Sequence, residues 1–92
     1  MRATLIHNPT AVDGASPDRE TLLAMMGAAG YDTLYQSSKE KHWAATLDRP
    51  TDFVVISGGD GTVALVVKAM LGRRIPVAML PIGRRSRASA AR

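Results

Sequence analysis

The stretch Ser57-Gly58-Gly59-Asp60-Gly61-Thr62 limits what this chain can fold into more than any other. It follows Phe53-Val54-Val55-Ile56, a continuous apolar run of the kind carried by a strand covered on both faces. It precedes Val63, Val66, Val67 and Met70, which stand at i, i+3, i+4 and i+7 and form a helical stripe. The order is therefore strand, glycine loop, helix. An Asp-Gly pair between apolar runs also signals a hairpin, but the downstream run would then alternate, and it does not. Three glycines within four positions permit φ > 0 and let a ligand approach with no Cβ in the way. Successive N–H groups in such a turn make an anion-binding concavity, and the following helix adds its unpaired N–H groups and dipole. Thr62 adds a hydroxyl donor. Asp60 beside a phosphate is repulsive unless a cation lies between them, and a Mg²⁺ ion, directly or through water, resolves that conflict. The loop is not a Walker motif, since no Gly-Lys-Ser/Thr follows, and it does not satisfy G-x-G-x-x-G.

The same alternation runs through the rest of the chain. Residues 3–7 are mostly apolar and stop at Asn8-Pro9, which predicts a buried strand and a turn. Ser16-Pro17 offers an N-cap and a first-turn proline, Leu22, Leu23 and Met26 repeat at helical spacing, and Gly30 stops the helix. Residues 31–36 are rich in β-formers and predict a second strand. Ser37 and Glu40 have capping-box spacing, opening a helix with Trp43, Ala44 and Leu47 on one face. Residues 76–80 give a fourth strand, followed by a turn at Pro81-Ile82-Gly83. Four strands alternating with three helices predict an α/β fold, a parallel sheet with helices on both faces. Ligands of such sheets sit at the carboxyl ends of the strands, where Asn8-Pro9-Thr10, Ser37-Ser38, the glycine loop and Pro81-Ile82-Gly83 converge.

Ninety-two residues suffice for one modest core, and 46% hydrophobic against 22% charged residues describes a globular chain rather than a disordered one. The absence of Cys excludes disulfides and Cys-based metal sites, and His7 and His42 alone do not make a metal centre. No run approaches the length needed to span a bilayer, and the first apolar segment lacks the pattern of a signal peptide, so a cytoplasmic protein is expected. The net charge of +4 equals the four arginines of the last nine residues, Arg84, Arg85, Arg87 and Arg92. Such a tail attracts acidic surfaces, but with no aromatic interleaved it does not point to specific nucleic-acid recognition.

Taken together, these residues resemble a known family. Gly58-Gly59-Asp60-Gly61-Thr62 matches the GGDGT signature of the diacylglycerol kinase catalytic domain, shared with NAD kinases and more loosely with phosphofructokinases. Asn8-Pro9-Thr10-Ala11, with Gly14 nearby, is similar to that family's NPxxG turn, and Pro81-Ile82-Gly83 to the opening of its P-x-G-T-x-N-D segment. The resemblance covers residues 3–83 and favours the branch that includes bacterial lipid kinases. It implies a Rossmann-like domain of the NAD kinase and diacylglycerol kinase type that binds ATP and Mg²⁺. It implies that Asn8, Pro9, Thr10 and Ser38 (or Ser37) contact the nucleotide, that Gly58, Gly59, Asp60, Gly61 and Thr62 hold its phosphates, and that Asp60 is the catalytic residue near Mg²⁺. The reaction implied is transfer of the γ-phosphoryl group to a lipid hydroxyl at the inner membrane surface. For Ser37 simple helix capping, and for Asn8-Pro9 an ordinary turn, stand as alternatives. An NAD kinase-like enzyme, a non-catalytic nucleotide-binding remnant and a basic interaction module are the competing readings of the whole. The oligomeric state is left open.

The sequence departs from the family pattern in three places. Val12 replaces a glycine, Ala64 replaces a common polar residue, and Gly83 is followed by Arg84-Arg85-Ser86-Arg87 rather than T-x-N-D. The expectation is an incomplete nucleotide-binding subdomain at residues 3–83 and a basic tail at 84–92, disordered or out of frame, in a truncated or frame-shifted product inactive alone. The resemblance assigns the carboxylate base that activates the lipid hydroxyl to a second, β-rich domain.

Overall fold

A computed structural model describes residues 1–9 and 18–80. The elements are β1 (Arg2–His7), α1 (Arg19–Ala28), β2 (Asp32–Ser37), a 3₁₀ helix (Trp43–Asp48), β3 (Phe53–Ser57), α2 (Asp60–Met70) and β4 (Val77–Met79). The strands form one parallel sheet in the order β2-β1-β3-β4. The predicted α/β architecture is the one observed. The central strands β1 and β3 are the most apolar and most buried, as two-sided covering demands.

Side-chain alternation along the strands divides the core in two. On one face Ala3, Leu5 and Val55 meet Leu22 and Met26 of α1. On the other, Ile6, Val54 and Ile56 meet Val66 and Met70 of α2 and Leu47 of the 3₁₀ helix, with Trp43, Val63, Ala69 and Ile75 at the margin. The register Leu5↔Tyr35 and Leu5↔Val55 keeps these rows aligned across β1, β2 and β3, and His7↔Ser37 and His7↔Ser57 close the carboxyl end. Arg73 ties the 3₁₀ helix to α2, donating to Leu47 O (3.0 Å), Asp48 Oδ1 (2.8 Å) and Ala69 O (3.3 Å).

Several expectations change in detail. Ser16-Pro17 lies outside the described residues, and the N-cap of α1 is Asp18, whose Oδ1 accepts from Thr21 N at 2.8 Å. Gly30 does end α1, with φ 91° and its N–H donating to Gly27 O at 2.9 Å. Ser37 opens no α-helix. It is the last residue of β2, its Oγ accepts from Lys39 N (3.1 Å) and its carbonyl from Glu40 N (3.3 Å), so the spacing makes a turn. Glu40, the other half of the expected box, accepts instead from Gln36 Nε2 at 3.0 Å. The segment after it is a 3₁₀ helix that still buries Leu47. Val67 points outward, 46% exposed, and Thr62 takes its place in the buried stripe of α2 with Val66 and Met70.

Candidate functional site

The parallel pairing of β2, β1 and β3 brings Asn8, Ser38 and the glycine loop to one end of the sheet. Hydrogen bonds stitch these turns together across the strand ends. Asn8 N donates to Ser57 O (2.9 Å), and Ser38 N donates to His7 O (2.8 Å). The side chains of the two motif turns also meet, with Asn8 Nδ2 donating to Thr62 Oγ1 at 3.2 Å. That contact spans 54 positions of sequence and joins the end of β1 to the first turn of α2.

Gly58 makes this junction possible. A Cβ built on it would lie 2.9 Å from both Cβ and Oγ1 of Thr62 and 3.2 Å from Cβ of Asn8. Among the described residues only Gly30 and Gly72 have positive φ, so the glycines of the loop do not serve the left-handed turn that their spacing suggested. Gly58 provides room for Thr62 and Asn8, whereas Cβ atoms on Gly59 and Gly61 would meet nothing within 4 Å. Those two leave the outer surface of the turn open to an incoming group.

Gly59 is the N-cap of α2, in extended conformation, and supplies no side-chain cap. The first bond of the helix is Val63 N to Gly59 O, 3.1 Å. The N–H groups of Asp60, Gly61 and Thr62 therefore lie ahead of the helical ladder at the positive end of its dipole. This donor set fits a phosphate, and nothing in it requires a side-chain cation. Asp60 is exposed in the same turn, and Thr62 is 5% exposed with its hydroxyl accepting from Asn8, which leaves its own proton to donate.

The described residues contain no group of three or more His, Cys, Asp or Glu able to cage a metal ion. A magnesium ion that keeps most of its ligands as phosphate oxygens and water needs only one or two carboxylates, and Asp60 is the one this turn presents.

Pro9 is exposed at the turn after β1, and Ser38, half-buried, stands at the end of β2, one strand removed from Asn8. Thr10 and Pro81-Ile82-Gly83 lie outside the described residues. Two concavities among the described residues, of about 340 and 550 Å³, share Arg2, Asp32 and Pro50 at the opposite, amino end of the strands. Both are open, and both lie away from the carboxyl ends of the strands, where ligands of parallel sheets bind. We therefore place the site at the carboxyl end.

One arrangement at this end gave no signal in the sequence. His7, 1% exposed, shares a 2.7 Å hydrogen bond between Nδ1 and the Tyr35 hydroxyl, and the rings meet edge to face. Burial pushes the Tyr35 phenol above its ordinary pKa, the nearby Arg19 guanidinium opposing it, and Arg19 stacks 4.8 Å over the Tyr35 ring. Asp18, at the start of α1, titrates below the ordinary aspartate value because of the hydrogen bonds it accepts from Thr21, with a smaller contribution from His7. His7 and Tyr35 are 28 positions apart and belong to no motif, so only the register Leu5↔Tyr35 brings them together.

The family model of the diacylglycerol kinase catalytic domain matches residues 2–91, nearly the whole chain. The chain belongs to that family. No curated protein and no solved structure gives a match.

Proposed function

From membership of the diacylglycerol kinase catalytic domain family, we propose that this chain is the nucleotide-binding half of an ATP-dependent lipid kinase. The kinase class follows from the family, and the assignment of ATP, Mg²⁺ and a lipid hydroxyl is our reading of the site. The observation that carries it is the junction of Gly58, Thr62 and Asn8, which seats the turn after β1 against the start of α2, where the N–H groups of Asp60, Gly61 and Thr62 lie ahead of the helical ladder. In this reading the N–H groups of Asp60, Gly61 and Thr62 hold nucleotide phosphate, while Asn8 fixes Thr62. Pro9 and Ser38 extend the nucleotide contact along the strand ends, and Thr10, outside the described residues, is a contact by the family resemblance. Mg²⁺ would neutralise the phosphate charge that Asp60 otherwise repels, with Asp60 as its protein carboxylate, directly or through water.

Phosphoryl transfer depends on positioning nucleotide, metal and acceptor together. Among the described residues Asp60 is the one carboxylate in the glycine turn, and it is occupied in this scheme with the metal. The family resemblance implies that the base accepting the lipid hydroxyl proton comes from a second, β-rich domain. The chain alone is expected to bind nucleotide without turning over diacylglycerol. Calorimetric titration of ATP–Mg²⁺ into wild type and Asp60→Asn tests the site. Weaker, less magnesium-dependent binding by the variant is expected, and equal binding would remove Asp60 from its role. In a full-length relative, label transferred to NAD but not to lipid would replace this reading with that of an NAD kinase.

A further inference from the structure

β1 ends on a buried histidine. His7 lies on the α1 face of the sheet in one row with Ala3 and Leu5, both apolar. An aliphatic side chain there, facing a phenyl ring on β2, would fill the space without burying polar atoms. The chain instead pairs two polar groups. His7 Nδ1 and the Tyr35 hydroxyl share a hydrogen bond of 2.7 Å, and the rings meet edge to face with centroids 5.6 Å apart. Arg19, the first residue of α1, stacks over the Tyr35 ring. A satisfied polar pair of this kind fixes direction as well as contact, where an apolar pair could slide.

That direction is imposed one position before Asn8. Successive side chains of an extended chain point to opposite faces, so His7 turns toward α1 while Asn8 reaches Thr62 at the start of α2. The backbone bonds at this end, Ser38 N to His7 O (2.8 Å) and Asn8 N to Ser57 O (2.9 Å), run within the sheet. They set the height of the strand end but restrain its tilt out of the sheet poorly, and the Tyr35 hydroxyl supplies a restraint from the α1 face. The Asn8–Thr62 bond, at 3.2 Å, is at the long end of the range for an N–H···O contact. A displacement of a few tenths of an ångström at Asn8 is therefore enough to break it.

We propose that Tyr35, acting through His7, is a positioning residue that holds Asn8 against Thr62. Contacts run from Arg19 to Tyr35, His7, Asn8 and Thr62, and so cross the sheet from the first residue of α1 to the first turn of α2. Loss of the hydroxyl takes this partner from a buried nitrogen, and the ring must shift to recover one, carrying residue 7 and then Asn8 with it. The consequence for ligand affinity rests on the nucleotide reading given above, whereas the hold on Asn8 is a property of the unliganded chain.

The hold is tested by NMR of the full chain without nucleotide, reading how fast the side-chain amide protons of Asn8 exchange with water. Exchange should be severalfold faster in Tyr35→Phe, which keeps the ring and removes only the hydroxyl. Tyr31→Phe is the control, since Tyr31 packs edge to face on Phe53 at the other end of the same face, and it should change nothing at Asn8. His7→Asn puts an amide atom where Nδ1 stood and should keep exchange slow, whereas His7→Leu should speed it. Rescue by the smaller polar residue and failure of the larger apolar one is the reverse of what a space-filling role gives. Equal exchange in Tyr35→Phe and wild type, or a His7→Leu protein as slow as wild type, would overturn the proposal. In ATP–Mg²⁺ titration Tyr35→Phe should weaken binding roughly fivefold, the factor one hydrogen bond is worth, and add nothing once Asn8→Ala is present. Full additivity of the two would also overturn it. Faster Asn8 exchange with unchanged ATP–Mg²⁺ affinity would uphold the hold on Asn8 and count against the nucleotide site, so the two failures are told apart.

Discussion

Replacing Gly58 by Ala places a methyl group where the structure has none to spare. The added Cβ would meet Thr62 Cβ and Oγ1 at 2.9 Å and Asn8 Cβ at 3.2 Å. Thr62 is 5% exposed on the first turn of α2, so it cannot swing into solvent without moving the helix. Gly58 does not have positive φ, so its backbone alone would tolerate Ala, and the smaller entropy of the unfolded chain would favour the variant by about 0.4–1 kcal/mol. Against this, overpacking costs about 1–3 kcal/mol, and loss of the Asn8–Thr62 hydrogen bond about 1 kcal/mol more. The steric terms win, leaving a net destabilisation of roughly 1–3 kcal/mol. For a domain this small that lowers the melting temperature by roughly 4–8 °C per kcal/mol.

Gly61→Ala is the control. Its Cβ meets nothing within 4 Å, and Ala in a helix is favoured by up to about 1 kcal/mol, so the fold should hold or tighten. The new methyl group nevertheless stands on the open side of the turn, and ATP–Mg²⁺ affinity should fall. Urea denaturation and nucleotide titration of both variants therefore separate the two uses of glycine in this loop. A Gly58→Ala protein as stable as wild type, with unchanged nucleotide affinity, would refute the close-contact argument.

Three further outcomes follow from the packing and charge of the fold. Leu47→Ala, at the 1% exposed position on the inner side of the 3₁₀ helix, should cost about 2–5 kcal/mol in urea denaturation, and a loss below about 1 kcal/mol would mean the short helix does not seal the core. Arg73→Ala should destabilise more than Asp48→Ala, because the exposed ion pair contributes only about 0–1 kcal/mol whereas Arg73 also holds the Leu47 and Ala69 carbonyls; the reverse order would contradict this. Asp18 has its carboxyl held below the ordinary value in the folded state, so its contribution is present above the unfolded value of about 3.9 and lost as pH falls through the lower folded value. The stability difference between wild type and Asp18→Asn should therefore shrink in acid, and a difference that stays constant from neutral pH into acid would contradict the assignment.

Much of the architecture could be read from apolar runs. Phe53-Val54-Val55-Ile56 and residues 3–7 are continuous enough to require two-sided burial, and they became the central strands. Patterns with two local solutions were the ones that misled. Ser16-Pro17 and Asp18 could each cap α1, and within the described residues the bond to Thr21 belongs to Asp18. Ser37 and Glu40 have capping-box spacing, but pairing with β1 keeps Ser37 in the sheet and Gln36 holds Glu40. In α2 apolar residues surround the axis, so periodicity could not say that Thr62 is buried and Val67 exposed. For the site, the motif residues Asn8 and Thr62 were legible, but the reason for Gly58 was not. A tertiary contact across 54 positions sets it, and glycine spacing alone suggested a left-handed turn that the chain does not make.

The central claim is that nucleotide phosphate binds the turn joining β3 to α2 with Asn8 beside it. Backbone amide NMR of the chain titrated with ATP–Mg²⁺ tests it most directly. The account predicts that the largest shifts fall on residues 58–62 and Asn8, and that adenosine, lacking phosphate, does not produce them. Shifts gathered instead around Arg2, Asp32 and Arg49 at the amino end of the sheet, or none with ATP–Mg²⁺, would contradict it.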